Sequence, residues 1–288
     1  MKTLLHTAII SFGILTLGVG MNGLFSPVSA SPNHDGPPAA IADQRAPRLQ
    51  NLGSYIFPVT TTSKDAQLFI NQGLMLAYGF NHAEAARSFG EAARLDPDCA
   101  MAYWGIALVG GPNINMDMPP DAEPQAYKFA QRAMALRKGV SAREQAYIEA
   151  LSRRYSGDPH ADRGALNRAY AEAMRALHNR YPEDLDAAAL YAEALMDLRP
   201  WDYWMRDGSP YPETLEIMQV LESVLARQPN HPGAIHFYIH TVEVGRPELA
   251  EAAAERLLTL APGAGHLVHT PSHIFRRLGR YADASRTN

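Results

Sequence analysis

The sequence predicts an all-α protein, a stack of helical hairpins, and three observations carry that reading. Prolines that would break a helix stand at Pro97, Pro182, Pro229 and Pro262, and each opens a new helical stretch a few residues on. The segment GRPELA, Gly245 to Ala250, recurs as GRYADA, Gly279 to Ala284, 34 residues later. Small residues at Gly73, Ala85, Ala250 and Ala284 fall where adjacent helices would approach closely. No hairpin of this kind covers its own apolar stripe, so successive hairpins stack into one continuous core.

Taken in order, residues 1–30 read as a secretory signal peptide. Lys2 gives a positive start, an apolar stretch runs on from Thr7, and Val28-Ser29-Ala30 supplies the small residues of a cleavage site. The apolar stretch is too short and too rich in Gly and Thr for a good membrane span. Cleavage after Ala30, a periplasmic or secreted location and no membrane span in the mature protein are therefore expected. The single cysteine, Cys99, allows no intrachain disulfide and reads as a buried thiol. Residues 31–62 are rich in Pro, Gly and Ser without a helical period, and read as an extended or disordered lead-in that tethers the helical part. Ser63 then caps a first helix, and residues 63–288 read as the helical repeat domain. A formal charge of −4 offers no basic field, so a nucleic-acid partner is not expected.

Within that domain GFNHAEAARSFGEAARLDPDCA, with Gly73 before it, places Ala85, Phe89, Ala92 and Pro97 at the spacings of a helix, a turn and a second helix. These positions and the GRPELA/GRYADA recurrence resemble the tetratricopeptide-repeat (TPR) family. The resemblance runs from about Ala66 to the end, strongest over 66–108 and 227–286. Between them the loops GGPNINMDMPPD and RPWDYWMRDGSPYPE swell the period. The resemblance implies a right-handed superhelical solenoid whose first helices line a concave groove, and a common family role of gripping peptides or proteins there. Asn288 comes four residues after Ala284, inside what should be a hairpin's second helix. The last repeat therefore reads as incomplete, as in a fragment of a longer array or a face covered by another chain.

The stretch GHLVHTPSHIF, Gly265 to Phe275, holds three histidines, and six of the eleven lie between His231 and His273. Counting seven residues from Pro229 and Pro262 gives His236 and His269; counting eleven gives His240 and His273. Each pair is at i, i+4, so both rings leave one helix face, and the two pairs occupy equivalent places on neighbouring helices. By the resemblance, those places face the groove. The same counts reach Glu193 from Pro182, and Trp104 and Leu108 from Pro97. Asp197 and Glu243 stand a further turn along, and His266 three residues before His269. Helices packed about 8–10 Å apart could close such pairs on one ion. His236, His240, His269, His273, His266 and Glu243 are the candidate ligands, with Glu193, Asp197 and Trp104 around them in the groove. Imidazole with carboxylate suits a transition metal ion: Zn, Cu, Fe or Ni. Pro271 should interrupt the helix between His269 and His273. His231, just before Pro232, reads as a cap.

Other features carry less. Trp201, Tyr203, Trp204 and Met205 sit in a long loop that either lids a small-molecule ligand or plugs an inter-repeat gap. Met116 and Met118 would favour Cu(I) if they reached the histidines, but read better as core plugs. No nucleophile triad, phosphate loop or dinucleotide fingerprint is present. Two functions are consistent with these features. One is an exported repeat protein whose groove binds a transition metal, carrying it or using it on a small ligand with Glu193, Asp197 or Glu243 moving protons. The other is a periplasmic scaffold whose groove holds a peptide or protein partner without metal.

Overall fold

The computed structural model describes residues 44–288. The signal-peptide reading of residues 1–30 and the first part of the lead-in lie outside the described residues. The helices are α1 (Lys64–Tyr78), α2 (His82–Leu95), α3 (Ala100–Val109), α4 (Glu123–Leu136), α5 (Ala142–Ser152), α6 (Arg163–Arg180), α7 (Leu185–Met196), α8 (Pro212–Arg227), α9 (Pro232–Val242), α10 (Glu251–Leu260), α11 (Gly265–His269), α12 (Pro271–Arg277) and α13 (Tyr281–Arg286). Among the described residues there is no strand, only isolated bridges joining Asn113 to Met116 and Trp204 to Pro210. None of these helices is long and apolar enough to cross a membrane.

The starts follow from side chains that accept the orphan N–H groups of a first turn. Ser63 accepts from Ala66, Asp162 from Ala165 and Asp184 from Ala187, and Ser141 with Glu144 forms a reciprocal capping box. His231 caps α9, its Nδ1 accepting from the Ala234 N–H at 3.1 Å. That leaves its Nε2 to meet the Tyr55 hydroxyl at 3.1 Å.

Two kinds of helix are present. α6 and α8 bury a single stripe: Tyr170, Ala171, Met174 and Leu177 on one, Thr214, Ile217, Leu221 and Val224 on the other. α7 is buried from Asp186 to Met196 and α9 along its whole length, as helices enclosed by others must be. Each helix packs on its neighbour in sequence; α3 also meets α1 and α5, and α9 also meets α7 and α12. α1 packs on α9 as well. A Cβ on Gly233 would lie 2.5 Å from the Tyr78 ring, so the glycine is what lets these two helices touch. This contact brings the carboxyl end of α1 to the histidines of α9.

Residues 44–62 contain no helix, yet they are not the tether the composition implies. Their backbone groups, which lack secondary-structure partners, are taken up by side chains of the helices. Gln72 binds the Leu49 N–H at 2.8 Å and the Pro47 carbonyl at 3.0 Å; Gln67 binds Phe57 and Val59; Glu144 accepts from the Thr60 N–H and hydroxyl, both at 2.6 Å. Phe57 is fully buried against Trp104 and Tyr147, with ring centres 5.9 and 5.7 Å away. Trp104, expected to line the groove, is thus a buried seat for Phe57.

Candidate metal centre

The site is assembled from α9, the α11–α12 segment and the turn after α1. His236 and His240 lie one turn apart on α9 and both are buried, at 0% and 2% exposure. Their Nε2 atoms are 3.0 Å apart, and the Nε2 of His266 lies 3.1 Å from that of His236. The expected interruption is present: Thr270 keeps helical dihedrals, but Pro271 has no N–H for Leu267, and the His273 N–H binds the Thr270 carbonyl in a tighter turn at 3.1 Å. Across that irregular turn the Nε2 atoms of His269 and His273 stand 3.2 Å apart.

The other nitrogen of each ring decides the chemistry. A neutral imidazole has one N–H and one lone pair. His236 Nδ1 is 2.6 Å from the Tyr78 carbonyl, which can only accept, so Nδ1 carries the proton. His240 Nδ1 is 2.9 Å from Glu243 Oε1, and His273 Nδ1 is 2.9 Å from Glu243 Oε2. Burial alone would raise the Glu243 carboxyl, but the two imidazole donors outweigh it and hold its pKa at about 2. Glu243 is therefore ionised and accepts from both rings. It also sits at the carboxyl end of α9, where the helix dipole disfavours an anion, a second cost those donors offset. His269 Nδ1 faces the Asn288 side-chain oxygen at 2.6 Å.

With Nδ1 engaged by a carbonyl or carboxylate, Nε2 is left as a lone pair on His236, His240 and His273. Bare lone pairs 3.0 Å apart repel unless a cation lies between them. A shared proton would make one ring an imidazolium. Burial, followed by the neighbouring rings, pushes His236 well below its ordinary value. Burial lowers His240 despite its bond to Glu243, and takes His266 down to about 4. These three rings are held toward the neutral form, the one that binds metal. Two nitrogens about 2.0–2.1 Å from one ion, at roughly 90–110°, stand roughly 2.8–3.4 Å apart, and the observed separations fall inside that span. His236, His240 and His266 form one group able to hold an ion; His240, Glu243 and His273 form another.

Two strained aromatic residues enclose His240. Phe80, just past α1, has φ 53° and Trp201 has φ 62°; the remaining non-glycine residue in this left-handed region among those described is Asn51. Bulky residues rarely adopt it, and such strain collects at functional sites. The Phe80 ring stacks on His240 at 6.3 Å and lies 4.6 Å from His236 and 5.7 Å from His266. Trp201 meets His240 edge-on at 5.1 Å and is 44% exposed. A cleft of about 330 Å³ lined by Gly79, Phe80, Asn81 and Gly265 reaches His266 of the first group. The long loop thus divides its work: Trp201 covers His240, while Tyr203 is buried and the Trp204 indole N–H binds the Thr241 carbonyl at 2.8 Å.

Glu193 and Asp197 do not join the imidazole groups. They belong to a second buried cluster around Arg154, which donates to Asp197 at 2.6 Å and to the Pro112 carbonyl at 2.7 Å. Burial, then the Glu193 charge, pushes Asp197 well above the usual carboxylate range; burial raises Glu193 too. Glu193 Oε2, Asp197 Oδ1 and Arg154 Nε are buried without a protein hydrogen-bond partner. Met116 is half exposed rather than a core plug, and the Met118 sulfur accepts from Arg163 at 3.4 Å. Sequence reasoning missed Tyr78, Phe80 and Arg154. Tyr78 acts through its carbonyl, which no side-chain pattern reveals.

A cleft of about 940 Å³ lies away from the histidines, between residues 54–58 and the starts of α7 and α9. Several of its charges are engaged: Arg143 binds Asp184, and Asp186 accepts from Tyr55 and Tyr78. Comparison with known proteins finds no family model that matches the chain and no curated protein significantly similar to it.

Proposed function

We propose that this chain is an exported, TPR-like helical-repeat protein that binds a transition metal ion at His236, His240 and His266. Glu243 and the Tyr78 carbonyl orient the rings. The observation that carries this reading is the 3.0 Å approach of the His236 and His240 Nε2 atoms while both Nδ1 atoms are committed to acceptors. Carboxylate- and carbonyl-anchored imidazoles are how proteins fix a metal-binding ring and raise its basicity. An all-nitrogen donor set suits Zn, Cu, Fe or Ni, and no thiolate lies near to narrow the choice. The alternation of stripe-buried and fully buried helices, joined in sequence, supports a stack of hairpins with α7 and α9 on its inner side, and the TPR resemblance implies a right-handed superhelix. Export rests on the Lys2, Thr7–Val19 and Ala30 pattern, and sequencing the mature amino terminus tests it.

The test of the metal reading is elemental analysis of the purified full chain after loading with Zn²⁺ and dialysis, beside His240→Ala. Stoichiometric zinc in the wild type, and its loss in a variant that keeps its helix content by circular dichroism, supports the reading. A wild-type chain that retains none after exposure to Zn²⁺, Cu²⁺, Ni²⁺ and Fe²⁺ in turn overturns it. A second reading, a peptide or protein partner, is favoured by the 940 Å³ cleft, where Ile56 stands 63% exposed. Metal-free protein that binds peptide, with Ile56→Asp abolishing capture, would establish it.

A further inference from the structure

We infer that the cluster holds two metal ions, the second bound between the Nε2 atoms of His269 and His273. This rests on the metal reading above and deepens it. The sequence register places the two i, i+4 pairs around one ion; His240 and His273 do come together at Glu243, but through Nδ1, and their Nε2 atoms face other rings. Each Nε2 faces a partner within its own segment or from His266: His236 with His240 and His266, and His269 with His273.

Glu243 explains the separation. It takes His240 on Oε1 and His273 on Oε2, so both rings turn Nδ1 toward one carboxylate and Nε2 away from it. Their centres remain 5.1 Å apart, nearly perpendicular at 81°. The carboxylate thus works as a spacer, orienting one ring toward His236 and the other toward His269. His269 and His273 repeat the arrangement of the first pair: Nδ1 on an oxygen, Nε2 atoms face to face at 3.2 Å, within the span two nitrogens on a common ion adopt. They differ in exposure. His236 and His240 are buried, whereas the His273 side chain is 24% exposed and His269 is partly exposed. With two imidazoles supplied by the protein, the second ion keeps open positions for water or a small oxygen ligand, while the first has three. The chemical class is a first-row divalent ion that accepts imidazole nitrogen, the second held more weakly.

The experiment is equilibrium dialysis of the full chain against Zn²⁺, with bound metal counted per chain, on the wild type, His269→Ala and His236→Ala. Two ions per chain are expected in the wild type, with the second at least ten-fold weaker, and one in His269→Ala at the tighter affinity. His236→Ala should lose the tight ion and keep the weak one. One ion per chain, unaffected by His269→Ala, overturns this inference and leaves the metal reading standing. One ion lost in both variants shows a single centre using all five rings and also overturns it. No bound zinc at all sinks the metal reading itself. Circular dichroism on each variant separates ligand loss from unfolding.

Discussion

Two buried polar clusters lie side by side on α7 and α9, and they resolve the same problem differently. Around Arg154, the carboxyls of Asp197 and Glu193 have a counter-charge supplied by the chain, held 2.6 Å from Asp197. Around Glu243, five imidazoles gather with no Lys or Arg paired to that carboxylate among the described residues. The first cluster has its cation built into the chain; in the second, imidazole nitrogens face one another. Position alone does not separate them, because Glu193 stands eleven residues after Pro182 as His240 does after Pro229. What differs is whether the cation is covalently part of the fold. On the metal reading, the Arg154 cluster is structural and the histidine cluster awaits an ion from solution.

Removing the internal cation should have the largest effect. Arg154→Met leaves Asp197 and Glu193 buried beside an apolar chain, and breaking a buried pair in this way costs about 3–5 kcal/mol. Urea denaturation should show that loss without any change in zinc per folded chain. A variant that lost zinc while keeping its stability would mean that the two clusters are one site.

The matching change in the other cluster should do the reverse. Glu243→Gln keeps the shape but cannot accept from two imidazoles at once, so zinc affinity should fall about 10–100-fold. Competition with a zinc-chelating dye measures this, and stability without metal should change far less than in Arg154→Met.

Acid should also act through His82, a buried ring near the Arg154 charge. Burial, followed by the Arg154 charge, holds His82 down at about 4 against an ordinary 6.5. Its folded-state pKa is depressed, so between pH 6.5 and 4 the unfolded chain takes up a proton that the folded chain refuses. Stability is therefore full above about 6.5 and falls as the pH drops, by about 1.4 kcal/mol per unit for this ring. His82→Gln should flatten that part of the metal-free stability profile. An unchanged slope would show that the ring carries none of it.

The smallest effect should come from Trp201. It is half exposed, so Trp201→Ala should cost under about 1 kcal/mol, partly offset by relief of its left-handed backbone. Zinc release, followed by stopped flow with a chelator, should nevertheless quicken several-fold. Unchanged release would reduce Trp201 to a surface residue.

Much of this was legible in the sequence because it is written in short-range spacing. Prolines punctuate the helices, Ser63 and His231 cap them, and the counts from Pro229 and Pro262 put four histidines in register. His266 was legible as a neighbour, though not as the ring that completes the first group. The hidden parts depend on contacts far apart in the chain or on backbone atoms. Arg154 reaches Asp197 across 43 residues with no periodic signal, which is why Glu193 and Asp197 read as metal-site carboxylates. Tyr78 lies 158 residues from His236 and contributes a carbonyl. Trp104 read as a groove residue because nothing in residues 31–62 announces that Phe57 will cover it. A polar lead-in looks loose until Gln67, Gln72 and Glu144 are seen to hold its backbone.

The central claim is that the facing nitrogens of His236, His240 and His266 receive a metal ion. Anomalous diffraction from crystals of the full chain loaded with Zn²⁺ tests it most directly. A zinc peak is expected about 2.0–2.1 Å from the Nε2 atoms of all three rings, with each Nδ1 of His236 and His240 still on its oxygen partner. At saturating Zn²⁺, no peak between those rings, or a peak held only by surface carboxylates elsewhere, would contradict it.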